Sequence, residues 1–213
     1  MDYYSSMLKF ILEGAGITLK IYFVTLVLSI PIGMTLAVLR TNGNKLICGI
    51  IDTYTWIIRG TPLLLQLYFI NFGLPVYGIA FQRMTVAYIG FTINYAAYFT
   101  EIFRGGIESI DKGQYEAAET LGMSRTKTFM HIILPQGVKR VLPSVTNETI
   151  TLVKDTALVA AIALGDILRQ TKLIASREFV TDPYLVAAVL YLLMTLVVVR
   201  IFRRVERRFS YFN

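Results

Sequence analysis

The sequence predicts an all-α protein that crosses a membrane several times, and composition, hydropathy and length support this fold class. Of the 213 residues, 55% are hydrophobic and 16% are charged, and the mean hydropathy is +0.58. Soluble domains average roughly 45–50% apolar and about 25% charged residues. Apolar stretches long enough for a membrane helix of about 20 residues recur along the chain. We therefore expect a single membrane domain over residues 1–213.

Five stretches are apolar and long enough to cross the hydrocarbon core as helices. Their approximate ranges are 17–39, 54–72, 84–103, 142–164 and 183–202. The first and last are almost uniformly apolar, whereas the second and fourth contain polar residues. The second is interrupted by Arg59-Gly60-Thr61-Pro62. Pro62 is expected to break or kink this helix because proline removes a backbone donor.

The distribution of Lys and Arg predicts which side of the membrane each connection faces. Fourteen Lys and Arg residues lie in the segments 40–59, 104–141 and 200–213. Six lie on the opposite side, and Lys154 lies within the fourth span. Connections rich in Lys and Arg tend to stay in the cytoplasm. Residues 105–140, hereafter the polar segment, and the C-terminus are therefore predicted to be cytoplasmic. An odd number of spans places the N-terminus outside.

Composition also argues against several classes of function. A net charge of +7 would suggest nucleic-acid binding in a soluble protein, but anionic lipid and membrane topology account for it here. Cys48 and His131 are the single cysteine and histidine, so the sequence offers no intrachain disulfide and no metal or nucleophile cluster. We expect no catalytic residue, metal, cofactor or nucleic-acid partner for this chain, and no removable signal peptide.

The polar segment contains a spaced pattern that carries the most specific functional signal. It reads EAAETLGMSRTKTFMHIILP, and seven of its positions fit the pattern: Glu116, Ala117, Ala118, Gly122, Ile132, Leu134 and Pro135. Residues 112–121 and 124–131 are predicted to form two short helices, joined at a left-handed Gly122 and followed by Ser124 as an N-cap. Without the pattern, an amphipathic hairpin lying on the membrane would be the simpler interpretation.

Small and apolar side chains of the polar segment are expected to form a docking surface. Ala117 and Ala118 are small enough for another backbone to approach closely. Four apolar side chains are expected to fit a groove on another protein: Met123, Phe129, Met130 and Ile133.

The pattern resembles the EAA loop of the membrane subunits of bacterial ABC importers, in which this loop docks onto the ATPase subunit. Three further stretches are similar to the polar amino-acid uptake branch of that family, which serves substrates such as histidine, arginine and glutamine. They are Arg59–Leu67, Glu101–Gln114 and Thr149–Asp166. The resemblance covers roughly residues 15–205, and Thr100 is a small departure because alanine is expected before Glu101.

The resemblance implies a five-span permease with a type I importer-like fold in the bacterial plasma membrane. It implies a dimer with a second permease chain, expected to be a homodimer, with a paralogue as the open alternative. Two copies of a separate ABC ATPase subunit and an extracellular solute-binding protein complete the implied complex. ATP and magnesium would bind the ATPase, because this chain contains no GxxxxGK[ST] sequence.

Polar residues inside the fourth span predict a site for a charged substrate. Glu148, Thr151 and Asp155 lie at i, i+3 and i+7 on one helix face, and Lys154 lies beside them. Ionisable groups at bilayer depth cost about 2.5–3.5 kcal/mol each, so they usually face a cavity or a partner. Glu148 is favoured as the contact for a guanidinium or ammonium group. Lys154 and Asp155 are equally consistent with substrate contact and with structural pairing between helices.

A second polar stripe lies in the third span, where Asn94, Tyr98 and Glu101 fall at i, i+4 and i+7. The two stripes are expected to face each other across a small water-accessible pocket. Asn94 and Thr151 are candidates to bind the backbone end of the substrate, and Gln66 is a further candidate lining residue. The predicted substrate is a polar, basic amino acid such as arginine, lysine or histidine, with glutamine as an alternative.

Two other classes of function compete with an importer permease. An ion-driven secondary amino-acid transporter would use Glu148, Lys154 and Asp155 as a proton relay, but five spans without an internal repeat fit that class poorly. A membrane subunit with no transport pathway would use the same residues only to join helices. Co-purification of a soluble ATPase distinguishes the importer from the first class, and substrate-stimulated ATPase activity distinguishes it from the second.

Overall fold

The chain forms only helices and turns in the computed structural model, which describes residues 2–209. The helices are α1 (Asp2–Asn42), α2 (Lys45–Gly60), α3 (Leu63–Tyr68), α4 (Arg83–Glu108), α5 (Lys112–Thr120), α6 (Arg125–Thr128), α7 (Leu134–Asp155), α8 (Ile167–Glu178) and α9 (Asp182–Phe209). Tighter or wider turns extend three of them: Phe69–Gly73 and Leu74–Tyr77 after α3, Phe129–Ile133 between α6 and α7, and Thr156–Ile162 after α7. The all-α prediction is confirmed over this range.

Several helices extend beyond the ranges that hydropathy predicted. Hydropathy identifies only the part of each helix that suits a lipid environment, whereas helical hydrogen bonding continues through the adjoining polar residues. The second short helix predicted at 124–131 is therefore not a separate element, because α6 runs into α7 through the π turn Phe129–Ile133. Pro135 lies at the start of α7 and has no N–H, and the π turn before it accommodates this gap without ending the helix.

Two helices in the described range are long and apolar enough to cross a membrane individually: Tyr3–Asn42 and Asp182–Arg208. A third candidate is the pair Lys45–Gly60 and Leu63–Tyr77, whose axes meet at 99°. α4 lies in the middle of the bundle, where it contacts α1, α2, α3 and α7. Because much of α4 faces other helices instead of lipid, this central helix can carry polar residues.

Glycines let α1 pack closely against two parts of the bundle. A Cβ on Gly33 would lie 2.6 Å from the Cβ of Phe99 on α4. A Cβ on Gly14 would lie 2.5 Å from the carbonyl carbon of Asp166, just before α8. Small residues are typical of membrane helix contacts, where van der Waals packing of backbones provides much of the attraction. α1 thus joins the central helix to the α8 end of the molecule.

The predicted break at Pro62 is present, and the Gln66 side chain supplies hydrogen bonds that the backbone lacks there. In a continuous helix the N–H of residue 62 would bond to the carbonyl of Ile58, but proline has no N–H. The Gln66 Nε2 donates to that carbonyl at 2.8 Å and to the carbonyl of Thr61 at 3.2 Å. Unsatisfied backbone groups are costly in lipid, so Gln66 stabilises the bend between α2 and α3.

Candidate functional site

The seven-position pattern begins in a capped helical hairpin. The Asp111 side chain accepts a hydrogen bond from the backbone N–H of Gly113 at 2.6 Å, and α5 follows. After α5, Gly122 has φ +71°, and its N–H donates to the carbonyl of Glu119 at 2.9 Å. The Ser124 Oγ accepts from the N–H of Lys127 at 3.4 Å and caps α6. The left-handed glycine and the serine N-cap are as predicted from the sequence.

Only part of the pattern is available to a partner. Ala118 is 1% exposed and packs into the chain itself, whereas its neighbours on α5 are exposed. The exposed pattern residues are Glu116, Ala117, Gly122 and Pro135, and the half-buried ones are Ile132 and Leu134. The outer face of α5 and the turn at Gly122 therefore form the accessible surface.

Two of the four apolar side chains expected to fit a partner's groove are not available. Phe129 and Ile133 are 8% and 0% exposed and belong to the hydrophobic core. They lie one helical turn apart and face inward because α6 continues into α7. Met130 is 50% exposed, and Met123 is half-buried. Sequence analysis missed Leu121, which is 78% exposed at the hairpin tip, directly before the left-handed glycine.

The hairpin is attached to the bundle where α4 crosses α7. A Cβ on Gly106 would lie 2.7 Å from the carbonyl oxygen of Gly137 and 2.3 Å from the Val141 side chain. The Arg140 guanidinium donates to the carbonyl of Ser109 at the end of the same crossing. The two helices that enter and leave the polar segment thus meet backbone to backbone.

The polar stripe of α4 faces the broken α2–α3 pair. The Asn94 Nδ2 donates to the Gln66 Oε1 at 3.1 Å and so joins α4 to α3. The Arg59 guanidinium lies over the Tyr98 ring, with its Cζ 5.3 Å from the centroid, and pairs with Glu101 at 3.6 Å. The stripe therefore contacts α2 and α3, and Arg59, which pairs with Glu101, also interacts electrostatically with Glu148 of α7. Helical spacing places residues on one face, but it does not identify the helix opposite.

The residue that links α4 to the α7 stripe is Tyr95, which sequence analysis missed. Its hydroxyl donates to the Asp155 Oδ2 at 2.8 Å, although the side chain is only 1% exposed. Glu148 is half-buried and interacts electrostatically with Asp155 and with Arg59. An aromatic residue in an apolar helix usually indicates core packing, and only the buried hydroxyl, which needs a partner, signals another role.

The two remaining α7 candidates, Thr151 and Lys154, lie in different surroundings. The Thr151 hydroxyl donates to the carbonyl of Asn147 in its own helix at 3.1 Å. Lys154 is exposed, whereas Asp155, the next residue, is half-buried against Tyr95. Successive residues diverge by about 100° around a helix, so the two charges point in different directions. Glu148 and Asp155 thus share one face of α7, and Lys154 lies beside Asp155, with which it interacts electrostatically.

An ionic network lies along α4 between this cluster and the polar segment. The Arg104 guanidinium pairs with Glu101 at 2.8 Å and with Glu108 at 2.5 Å. The hydrogen bond to Glu101 raises the pKa of Arg104 above its usual value, so this arginine stays charged at physiological pH. Beside the network is an open cavity of about 500 Å³ lined by residues that include Arg40, Asp52, Trp56, Arg59, Glu101 and Arg104.

Sequence comparisons match this architecture to one group of proteins. Residues 29–211 match the family described as "Binding-protein-dependent transport system inner membrane component". The chain is 38% identical to the arginine transport system permease protein ArtQ of Bacillus subtilis, over 94% of this chain and 93% of that protein. It is 36% identical to the putative glutamine transport system permease protein GlnP of Rickettsia bellii, over 96% of this chain and 95% of that protein.

Solved structures show the same architecture. An amino acid ABC transporter, solved with histidines, matches with a TM-score of 0.88 and 34% identity, over 98% of this chain and 96% of that one. The MetNI methionine ABC transporter in an inward-facing form matches with a TM-score of 0.75 and 19% identity, over 96% and 98% of the two chains. The second match supports the fold alone.

Proposed function

Since this chain belongs to the family of binding-protein-dependent transport system inner membrane components and is a permease of an amino-acid ABC importer, we propose that it carries a basic amino acid. The observation that carries this proposal is the pair of half-buried carboxylates, Glu148 and Asp155, on one face of α7. Carboxylates bind guanidinium and ammonium groups through charge-assisted hydrogen bonds. Arginine, lysine and histidine share this kind of side chain.

The relatives' names alone do not decide between substrates, because arginine and glutamine permeases are 38% and 36% identical to the chain. The arrangement of amides does favour one of them. Asn94 donates to the Gln66 oxygen, and the Gln66 nitrogen closes the helix break, so both ends of the Gln66 amide are used within the chain. A neutral glutamine side chain is best recognised by such amides, whereas a cationic side chain needs the carboxylates. We therefore assign Asn94, Gln66 and Tyr98 to joining α2, α3 and α4.

For the topology we propose five spans, formed by α1, the bent α2–α3 pair, α4, α7 and α9. The N-terminus lies outside, and the polar segment and C-terminus lie in the cytoplasm, in agreement with the Lys and Arg distribution. The chain works in the bacterial plasma membrane as a homodimer with two ATPase subunits and an extracellular solute-binding protein. ATP and magnesium bind the ATPase subunits.

For the mechanism we propose that the α4–α7 crossing transmits movement from the hairpin to the carboxylates. Closure of the ATPase subunits would displace the outer face of α5, where Glu116 and Ala117 are exposed. Since Gly106 and Gly137 leave no space between α4 and α7, the two helices move together. Tyr95 and Asp155 lie further along the same pair of helices, so the displacement changes access to the site.

Transport by the reconstituted complex tests the proposed function directly. Proteoliposomes that contain this chain, its ATPase and its binding protein are supplied with labelled arginine or glutamine, with and without ATP. We expect ATP-dependent arginine uptake at least about tenfold above glutamine uptake, because one charge-assisted hydrogen bond is worth about 1.5–3 kcal/mol. Uptake that follows an ion gradient without the ATPase would establish a secondary transporter instead. Equal uptake of both amino acids would refute the carboxylate selectivity.

The turn at Gly122 gives a test of docking to the ATPase. Gly122→Val places a β-branched residue at φ +71°, which costs about 1–2 kcal/mol and disfavours the hairpin. We expect normal membrane insertion and an affinity for the ATPase reduced about 5- to 30-fold, measured by titrating the purified subunit. Gly122→Asn is the control, since asparagine tolerates the left-handed conformation. Wild-type affinity in the valine variant would contradict docking through this turn.

A further inference from the structure

Five arginines lie on one face of α9, near its C-terminal end. Their positions follow the spacing i, i+3, i+4, i+7 and i+8: Arg200, Arg203, Arg204, Arg207 and Arg208. At about 100° per residue, they fall within an arc of about 140° around the helix. All five are exposed, and Arg207 also interacts within the chain. We refer to these residues as the arginine face.

The opposite side of α9 is held against the bundle. Val198 is 9% exposed in the hydrophobic core, and Phe202 packs against the same core. The Glu206 carboxylate accepts a hydrogen bond from the Thr146 hydroxyl of α7 at 2.5 Å. These contacts fix the rotation of the helix. The arginine face therefore points away from the protein.

The arginine face continues an apolar surface that α9 exposes along its earlier turns. Leu185, Val189, Leu192 and Leu196 are 71%, 54%, 68% and 42% exposed. Projected at 100° per residue, they lie on the same side of the helix as the arginines. In the proposed topology this apolar surface meets lipid tails, so the arginines beyond it lie beside lipid head groups.

The length of α9 places the arginines at head-group depth. From Asp182 to Arg200 the helix rises about 27 Å, close to the hydrocarbon thickness of about 30 Å. The stretch from Arg200 to Arg208 adds about 12 Å, which covers the head-group region of the same leaflet. A second copy is a poor occupant, because two-fold pairing of this face would bring identical positive charges together.

We propose that the arginine face is a binding site for anionic phospholipid of the cytoplasmic leaflet. Guanidinium groups bind phosphate oxygens in a bidentate manner. Leu192 and Leu196, within about 12 Å of Arg200 along the helix, accommodate the acyl chains of the same lipid. Clusters of basic residues directly beyond a span attract anionic lipid. The proposal rests on the proposed topology and does not depend on which amino acid is transported.

The test compares spin-labelled phosphatidylglycerol with spin-labelled phosphatidylcholine in phosphatidylcholine bilayers that contain the complete complex. Electron paramagnetic resonance gives the fraction of each label immobilised at the protein. We expect a preference for phosphatidylglycerol of at least about threefold, because each basic residue near the surface contributes up to about fivefold in affinity. In the triple variant R203Q/R204Q/R208Q the preference falls to about one, and in R203K/R204K/R208K most of it persists.

A matched variant at the other end of the molecule, K9Q/K20Q/K172Q, removes the same charge from exposed positions. It should leave the preference unchanged. The proposal is overturned by an unchanged preference in the glutamine triple, or by equal loss in both glutamine triples. It is also overturned if the arginine variant loses ATPase binding in lipid-free detergent, which would assign the face to that subunit. The proposal is likewise overturned if neither label is immobilised at the protein.

Discussion

Replacing Glu148 with Gln should raise the KM for arginine uptake about 10- to 150-fold, with little change in the yield of complex. The carboxylate is half-buried and lies in the electrostatic field of Asp155 and Arg59, so its charge is poorly screened by water. A hydrogen bond to a charged group is worth about 1.5–3 kcal/mol, which gives the expected range. Glutamine keeps the shape of the side chain and removes the charge. ATP-dependent uptake of labelled arginine in proteoliposomes measures the effect.

The control for this prediction is Lys154→Gln. Lys154 is charged and lies in the same helix, but it is exposed on a different face from Glu148. We expect a smaller change in KM than in Glu148→Gln, because Lys154 is exposed and acts on the site only through its charge beside Asp155. If the two variants have equal effects on uptake, the carboxylate acts through helix packing, and the substrate contacts lie elsewhere. An unchanged KM in Glu148→Gln would lead to the same conclusion.

Gly106→Ala should destabilise the membrane domain by about 1–3 kcal/mol and weaken the coupling of ATP hydrolysis to transport. The new Cβ would lie 2.7 Å from the carbonyl oxygen of Gly137, a backbone atom that cannot rotate away. The helices must separate, and overpacking of this kind typically costs 1–3 kcal/mol. Denaturant titration in detergent measures the stability. The ratio of arginine transported to ATP hydrolysed measures the coupling.

Gly105→Ala is the control, and we expect it to change stability in the opposite direction from Gly106→Ala. A Cβ on Gly105 meets no atom within 4 Å, and the residue is exposed on α4. Alanine favours helix over glycine by about 1 kcal/mol, so Gly105→Ala should be neutral or stabilising. The two substitutions differ by one position and share the same chemistry. Equal stability of the two variants would show that the α4–α7 contact does not limit coupling.

Features governed by local rules were predictable from the sequence. Pro62 breaks its helix because of its own covalent structure, and Gly122 adopts a positive φ at the end of α5 because glycine lacks a Cβ. Ser124 caps the next helix for an equally local reason. The continuity of α6 with α7 was not predictable in the same way, because the π turn before Pro135 lets the helix continue without the missing N–H.

The site itself was only partly predictable, because its residues meet through tertiary contacts. The spacing of Asn94, Tyr98 and Glu101 identified a shared face but not its neighbours, which belong to α2 and α3. Tyr95 was not identified from the sequence, because its apolar neighbours indicated only core packing. The crossing at Gly106 and Gly137 involves two glycines far apart in sequence, and nothing local indicates that they touch.

The repair of the helix break by Gln66 gives an order to the changes that this region can undergo during evolution. If Pro62 is replaced first, position 62 regains an N–H that can serve the carbonyl of Ile58, and only Thr61 and Asn94 still depend on Gln66. If Gln66 is replaced first, the carbonyls of Ile58 and Thr61 lose the donor that Gln66 supplies. Asn94 loses its acceptor in the same step. Loss of the proline first therefore leaves fewer groups without a partner, and lineages that keep Pro62 are under the stronger constraint to keep Gln66.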